Sequence, residues 1–368
     1  MVGLRRTAAF LVSFLLMFPL LSETEVHGKI QLNTGYLHMN RFITPDIWFS
    51  SSLASLRVEQ ESSFMKAIVE FSSSLSVNPL SASLFSRSFQ LDKAYSKIRI
   101  PFINNSFMRF SAGKMPLSWG YGMVYNSGDI LFSNTAILSS SNIYTAGEDS
   151  MRTFSDWAFH LYVPFKDIAA AEAVFLPPLE FTYVNPQITR TAVRFLFMPY
   201  ALFIENAEIG ASLENNIAQQ NISSVKFYGA IDGTLFLDYT LCSSIALSPD
   251  NTNSASFNKD FWSISGSLFY TLPKASVRAE SLYYPYRELL SLFSMLTVSV
   301  SEPLSVQAYY IFSFTNKPLP EQDKDSHVVS AGITWKPAKE FSLALKFDAD
   351  IKKPDNLTKV SLSGSYSF

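Results

Sequence analysis

The side chains of this chain that could do chemistry are mostly cations at alternate positions. Arg57, Lys66, Lys93, Lys97, Arg99, Arg109, Arg152, Arg190, Arg194 and Lys226 sit in stretches where polar and apolar residues alternate, and all fall in the polar set. A spacing of two puts alternate side chains on opposite faces of a strand. These cations therefore share one face, with Glu59, Glu70, Asp156 and Glu208 as the acids among them. Such a wall can select ions through its field where a passage narrows, here with a mild preference for anions. It can equally close on itself in ladders of ion pairs. Nucleophilic catalysis has less to stand on. It needs a serine or cysteine within reach of a base. His38, His160 and His327 are the histidines beyond residue 28, and serines are so frequent that a neighbouring one carries no information. His160, with Asp156 on the same face, reads as a polar wall residue. Cys242 is the only cysteine, which excludes an intrachain disulfide and a cysteine-rich metal site. Metal-ligand spacing and Gly-rich phosphate motifs are absent, so neither a cofactor nor an enzymatic activity is expected.

The elements that position these cations are strands. In the last segment Val360, Leu362, Tyr366 and Phe368 share one face, and Lys359, Ser361, Ser363, Ser365 and Ser367 the other. Before it, Phe341, Leu343, Leu345 and Phe347 oppose Ser342, Lys346, Asp348 and Asp350. The pattern recurs in segments of roughly ten residues, the length of a tilted membrane strand. A strand that is half polar and half apolar needs water on one side and oil on the other. Charged residues are only 16% of the chain, hydrophobic residues 48%, yet no apolar run beyond residue 25 reaches the roughly 20 residues of a spanning helix. The fold expected is all-β: a transmembrane antiparallel β-barrel of about 18 strands, with 16 or 14 as alternatives. Short turns such as Asp232-Gly233 alternate with longer polar loops such as 249–259. A soluble β-sandwich also alternates, but its usual domain linkers are missing. The net charge of −2 and the lack of a basic patch exclude nucleic acid as a partner.

Both chain ends carry further signals. Arg5 and Arg6 precede an apolar run, Ala8 to Leu21, and then polar residues to Gly28. This reads as a signal peptide over 1–28, with cleavage after Gly28 or Ser22, ahead of a single barrel domain over 29–368. An uncleaved anchor helix is the alternative. At the other end, SLSGSYSF (residues 361–368) resembles the C-terminal signature of bacterial outer-membrane β-barrel proteins, with Tyr366 two before a terminal Phe368. That resemblance, porin-like in type, implies insertion into outer-membrane lipid by the barrel-assembly machinery. GKMPLSWGYGMVYNSGD (residues 113–129) is similar to a Trp-Gly-x-Gly stretch in some porin-like barrels.

The longest irregular stretch, 120–150, follows that motif. In classical porins, which the chain resembles in architecture, the third external loop folds into the lumen, and this stretch has the same ordinal position. Its apolar patches, Met123 to Tyr125 and Ile130 to Phe132, are awkward for a free loop in water. Folding inward would cover them, with Trp119 at its start and Asp129, Glu148 and Asp149 as candidate constriction acids opposite the wall arginines. Covering the mouth or an oligomer interface is the alternative. Trp48, Trp157, Trp262 and Trp335 suit an interfacial belt. The function expected is passive diffusion of small hydrophilic solutes, with oligomeric state left open. A surface adhesin or receptor barrel is one alternative. Another is a narrower barrel carrying hydrophobic molecules along inward Phe64, Phe236, Phe269 and Phe293.

Overall fold

The computed structural model of the chain describes residues 23–38, 46–77, 85–102, 106–132, 154–178, 188–199, 203–249, 255–316, 324–352 and 358–368. Nearly every alternating segment becomes a strand. The first nine are β1 (Glu23–His38), β2 (Asp46–Glu61), β3 (Met65–Val77), β4 (Phe85–Pro101), β5 (Phe107–Leu117), β6 (Phe154–Phe165), β7 (Ala169–Leu176), β8 (Ile188–Phe197) and β9 (Ile204–Asn216). Next come β10 (Asn221–Thr234), β11 (Asp238–Pro249), the short β12 (Ala255–Phe257), β13 (Ser263–Leu272) and β14 (Ala275–Tyr284). The last are β15 (Leu289–Ser301), β16 (Leu304–Thr315), β17 (Asp325–Trp335), β18 (Phe341–Asp350) and β19 (Thr358–Ser367).

Apart from the short β12, which pairs with β11 alone, each strand pairs antiparallel with its neighbours along the chain, and β1 pairs with both β2 and β19. The sheet therefore closes. Closure satisfies every ladder and leaves no edge to lipid, which a spanning sheet requires. β12 and β13 lie along different stretches of β11, at Leu247↔Phe257 and Asp238↔Phe269, so β12 adds length rather than a stave. The barrel is an 18-strand antiparallel one.

Period two then sorts the side chains. Phe159, Phe175, Val193, Phe195, Ile209, Phe227, Leu241 and Leu268 are exposed on the outer face. Their alternates Ala158, Val174, Ala192, Tyr228 and Cys242 are buried on the inner face. An exposed band this apolar suits lipid and not water. Trp48 lies on the outer face beside Tyr36, ring centroids 5.4 Å apart, and Trp335 is also exposed. The start of β1 and the end of β19 meet at one rim, together with the turns at 62–64, 166–168, 235–237, 273–274 and 302–303. The connection after β5 belongs to the opposite rim.

Three expectations shift. Phe64 and Phe236 sit in turns at the short-turn rim and are exposed, rather than on inward strand positions. Apolar turn residues had extended the alternating pattern past its end. Alternation over 201–213 predicts a strand from residue 201, and the strand begins at Ile204. And β1 begins at Glu23, six residues ahead of Lys29, pairing Glu23↔Glu61 through His27↔Arg57 before β19 joins it. There Gly28 N–H donates to Phe368 O (2.7 Å) and Phe368 N–H to Gly28 O (2.9 Å). The Phe368 ring lies against Gly28, where any Cβ would overlap it.

Candidate functional site

Residues 118–132 leave β5 and turn into the barrel. Gly120 (φ 75°) and Gly122 (φ 123°) take the left-handed backbone that makes the turn, a region L side chains rarely enter. Asn126 closes it, donating Nδ2–H to Trp119 O (2.7 Å) and accepting Gly128 N–H (2.9 Å).

The segment is then anchored to inward positions of several staves. Glu280 on β14 accepts three successive backbone N–H groups, from Met123 (2.8 Å), Val124 (2.7 Å) and Tyr125 (2.9 Å). Arg278 stands beside that carboxylate at 3.3 Å. Ser265 on β13 accepts Ser127 N–H at 2.9 Å, Cys242 Sγ on β11 accepts Tyr121 N–H at 3.3 Å, and Ser212 on β9 donates to Ile130 O at 3.2 Å. The two apolar patches fill separate sectors. Trp119, Ile130 and Leu131 pack with Met115, Leu117, Ala158, Val174, Leu176, Ala192, Tyr228 and Ala230, on β5 to β10. Met123, Val124 and Tyr125 pack with Leu282, Tyr284, Phe293, Met295 and Tyr309, on β14 to β16. The segment thus covers the inner wall from β5 round to β16. Tyr95 on β4 packs at the edge of the first cluster, and the wall of β17 to β19 and β1 to β3 stays clear of both.

The inward cations are mostly matched by carboxylates. On β2 to β4, Arg57 and Lys66 pair with Glu59, Lys66 also meets Glu61 (2.9 Å), and Lys93 meets Glu70 (2.9 Å). On β7 to β10, Arg194 bridges Glu172 (2.9 Å) and Glu208 (2.8 Å), while Arg190 and Lys226 share Glu214. The ladders of ion pairs are thus present across much of the wall. Arg194 also lies 5.3 Å over the Trp119 ring, which stacks on Tyr228 at 6.1 Å. His160 faces Glu172 at 3.3 Å.

The structure brings Trp119 and Asp129 into this assembly. Asp129 is only 6% exposed, and its Oδ1 accepts N–H from Leu131 (3.3 Å) and Phe132 (3.2 Å). Burial pushes its pKa up to about 7, against the pull of those amides and of Arg190 and Lys226. Burial likewise raises the Tyr125 phenol to about 12. Arg152, Glu148 and Asp149 lie outside the described residues. Arg57, Lys66, Lys93, Lys97, Arg99, Arg109, Arg190, Arg194 and Lys226 all occupy inward positions, fixed by pairs such as Lys66↔Lys97, Arg99↔Arg109 and Leu176↔Arg190. Sequence reasoning passed over Glu172, Glu214 and Glu280. The first two sit opposite predicted cations one strand away, a spacing that needs the register. Glu280 carried a local signal, an acid two residues from Arg278 on the inward set. Phe293 is inward and buried, and Phe269 is inward beneath Arg278, 4.6 Å from its ring centroid. Among the described residues no group of three or more His, Cys, Asp or Glu could hold a metal ion.

No family model and no curated protein matches this sequence. Solved structures do match its fold. Pseudomonas aeruginosa OccK9 (OpdG) superposes with a TM-score of 0.59 at 9% identity, over 94% of this chain and 98% of that one. P. aeruginosa OccK2 (OpdF) in complex with glucuronate gives 0.56 at 9% identity, over 94% and 96%. Acinetobacter baumannii OccAB4 gives 0.55 at 11% identity, over 94% and 98%. These neighbours are outer-membrane porins with 18-strand barrels. This chain has the porin fold. At so little shared sequence, what the likeness shows is the 18-strand barrel itself. The anchoring of 118–132 by Glu280 has to be argued from this chain's own residues.

Proposed function

We propose that the chain is a bacterial outer-membrane channel for passive diffusion of small hydrophilic solutes, with segment 118–132 as its constriction. The observation that carries this is the unequal lining of the interior. The segment packs on the sector from Tyr95 of β4 round to β16 and leaves half-exposed polar positions such as Gln31, Asn33, Ser51, Ser55 and Ser363, on β1, β2 and β19, to line a passage. A barrel of 16–18 strands is wide enough for an aqueous pore. The hydrophobic-solute alternative loses support, since Phe293 is covered and Phe64 and Phe236 lie in turns.

Structural neighbours were solved with glucuronate and with vanillate, both small carboxylates. A solute of that size is what this reading assigns to the passage. Residues 1–22 act as the signal peptide in this reading, with cleavage after Ser22. The later boundary, after Gly28, would remove the glycine on which Phe368 rests and the strand residues before it. The barrel-assembly machinery would recognise the β19 end. Liposome swelling with purified, refolded protein tests the channel. Swelling in small sugars and organic acids is expected, and impermeable liposomes with a correctly folded barrel would favour the adhesin instead.

A further inference from the structure

Ion pairs recur along the inward wall, but one stretch of the open sector carries no charge. On β1 the inward positions include Gln31 and Asn33, and the closed register extends each of them into a row. Asn33 lies directly opposite Ser363 on β19 and Ser51 on β2, and Ser51 lies opposite Ser76 on β3. Gln31 lies opposite Ser365 and Leu53, and Leu53 opposite Ser74, whose hydroxyl is hydrogen-bonded to that of Ser88 on β4 (2.6 Å). Neither row holds an ionisable side chain. The nearest inward charges along β1 and β19 are Lys29, on the short-turn side, and Lys359, on the other. Strand and residue spacings make the two rows a patch of roughly 7 Å by 19 Å. The side chains of Gln31, Asn33, Ser51 and Ser363 are half-exposed, and among the described residues they find no hydrogen-bond partner. Two apolar side chains stand with them. Leu53 is half-exposed within the second row, and Phe49 lies opposite Gly35, where the missing side chain leaves room for the ring. Apolar surface turned to water costs free energy that the C–H groups of a solute would recover.

We propose that this uncharged patch, centred on Gln31, Asn33, Ser51 and Ser363, is a binding site for a neutral polyhydroxylated solute of about hexose size. The inference rests on the channel reading and names its substrate class. Amides and hydroxyls both donate and accept, so they match the hydroxyls of a polyol in either sense. Leu53 and Phe49 offer the apolar contact that a few placed polar groups then orient. A carboxylate held here would shed water with no cation in either row to replace it, which costs more than desolvating a hydroxyl.

The test is saturation-transfer NMR of the refolded, detergent-solubilised full-length barrel with glucose and, separately, with glucuronate. The two solutes differ at one carbon, a hydroxymethyl group against a carboxylate. Wild type should bind glucose saturably and more tightly than glucuronate. Asn33→Ala/Ser51→Ala removes two hydrogen-bonding groups and should weaken glucose binding about ten-fold. Leu53→Ser, which keeps the wall polar and takes away the apolar contact, should weaken it several-fold. Heat-modifiable gel mobility verifies that each variant is folded. Absence of saturable glucose binding by wild type, glucuronate bound as tightly as glucose or more so, or unchanged glucose binding by the folded double variant overturns the site. Conductance in planar bilayers is measured on the same samples. A conducting wild type that binds no glucose sinks the site and spares the channel. Glucose binding without conductance does the reverse.

Discussion

At the level of single residues, Glu280 bears the most specific demand. Its carboxylate accepts three backbone N–H groups of the inward segment, and Arg278 stands beside it. Hydrogen bonds to a charged group contribute roughly 1.5–3 kcal/mol each, and donors left buried without a partner cost a similar amount. Glu280→Ala should therefore release Met123 to Tyr125 from the wall and raise single-channel conductance with added open-channel noise, while Glu280→Gln, which keeps one acceptor oxygen, should fall between. Conductance of Glu280→Ala equal to wild type would show that the segment does not narrow the passage. Asp129 adds a pH dependence whose sign is fixed. Its pKa rises from 3.8 toward about 7 on docking, so the docked form binds the proton more tightly than the undocked one. Docking is then favoured in full below about pH 4 and weakens as pH climbs to about 7, by roughly 1.4 kcal/mol per unit. Conductance should rise between pH 5 and pH 8. Asp129→Asn, which cannot ionise, should hold the low-pH value across that range. A variant that keeps the full pH response would move the titration to another group.

The strands themselves were largely legible because a membrane barrel must alternate, and β18 and β19 keep the faces that their residues assign. Ends were less legible. Phe64 and Phe236 are apolar enough to extend a strand, yet the chain turns there, and nothing local in the sequence separates a turn phenylalanine from a strand one. The inward segment was legible as a need for cover, from the apolar runs at 123–125 and 130–132. Its anchors were not, because Glu280, Ser265, Cys242 and Ser212 lie on four different staves, and only the closed register brings them to one loop. The closing hairpin shows the same limit. Gly28 reads as a small residue near a cleavage site, and in the barrel it is the seat of Phe368. Gly28→Leu should displace that ring and slow assembly, seen as a larger heat-unmodified fraction after refolding, while a distant outward change such as Leu292→Ala should leave assembly nearly unchanged. Mass measurement of the mature chain supplies the companion result, with a first residue of Glu23 expected; a start at Lys29 would remove Gly28 and contradict the seating.

On the scale of the whole barrel, the interior divides into a covered and an open sector, and water-soluble thiol reagents can map the division. The lone native cysteine makes the experiment clean. Cys242 is 1% exposed and engaged with Tyr121, so wild type should stay unlabelled by a charged reagent. Single cysteines placed on inward serines should then sort by sector and not by depth along the staves. Ser55→Cys on β2 and Ser363→Cys on β19 face the open side and should label fast. Ser263→Cys and Ser265→Cys on β13 lie where the segment packs, fully buried in the folded barrel, and should label at least ten-fold slower. Releasing the segment by Glu280→Ala should erase the contrast, since Ser265 is held shut by Ser127 and the segment around it. If both sectors label alike while Glu280 is intact, the segment leaves the wall in solution, and the passage would be wider and less selective than its docked geometry implies. A slow β13 that stays slow in Glu280→Ala would instead assign the cover to the remaining anchors at Cys242 and Ser212, whose removal one at a time would then rank them.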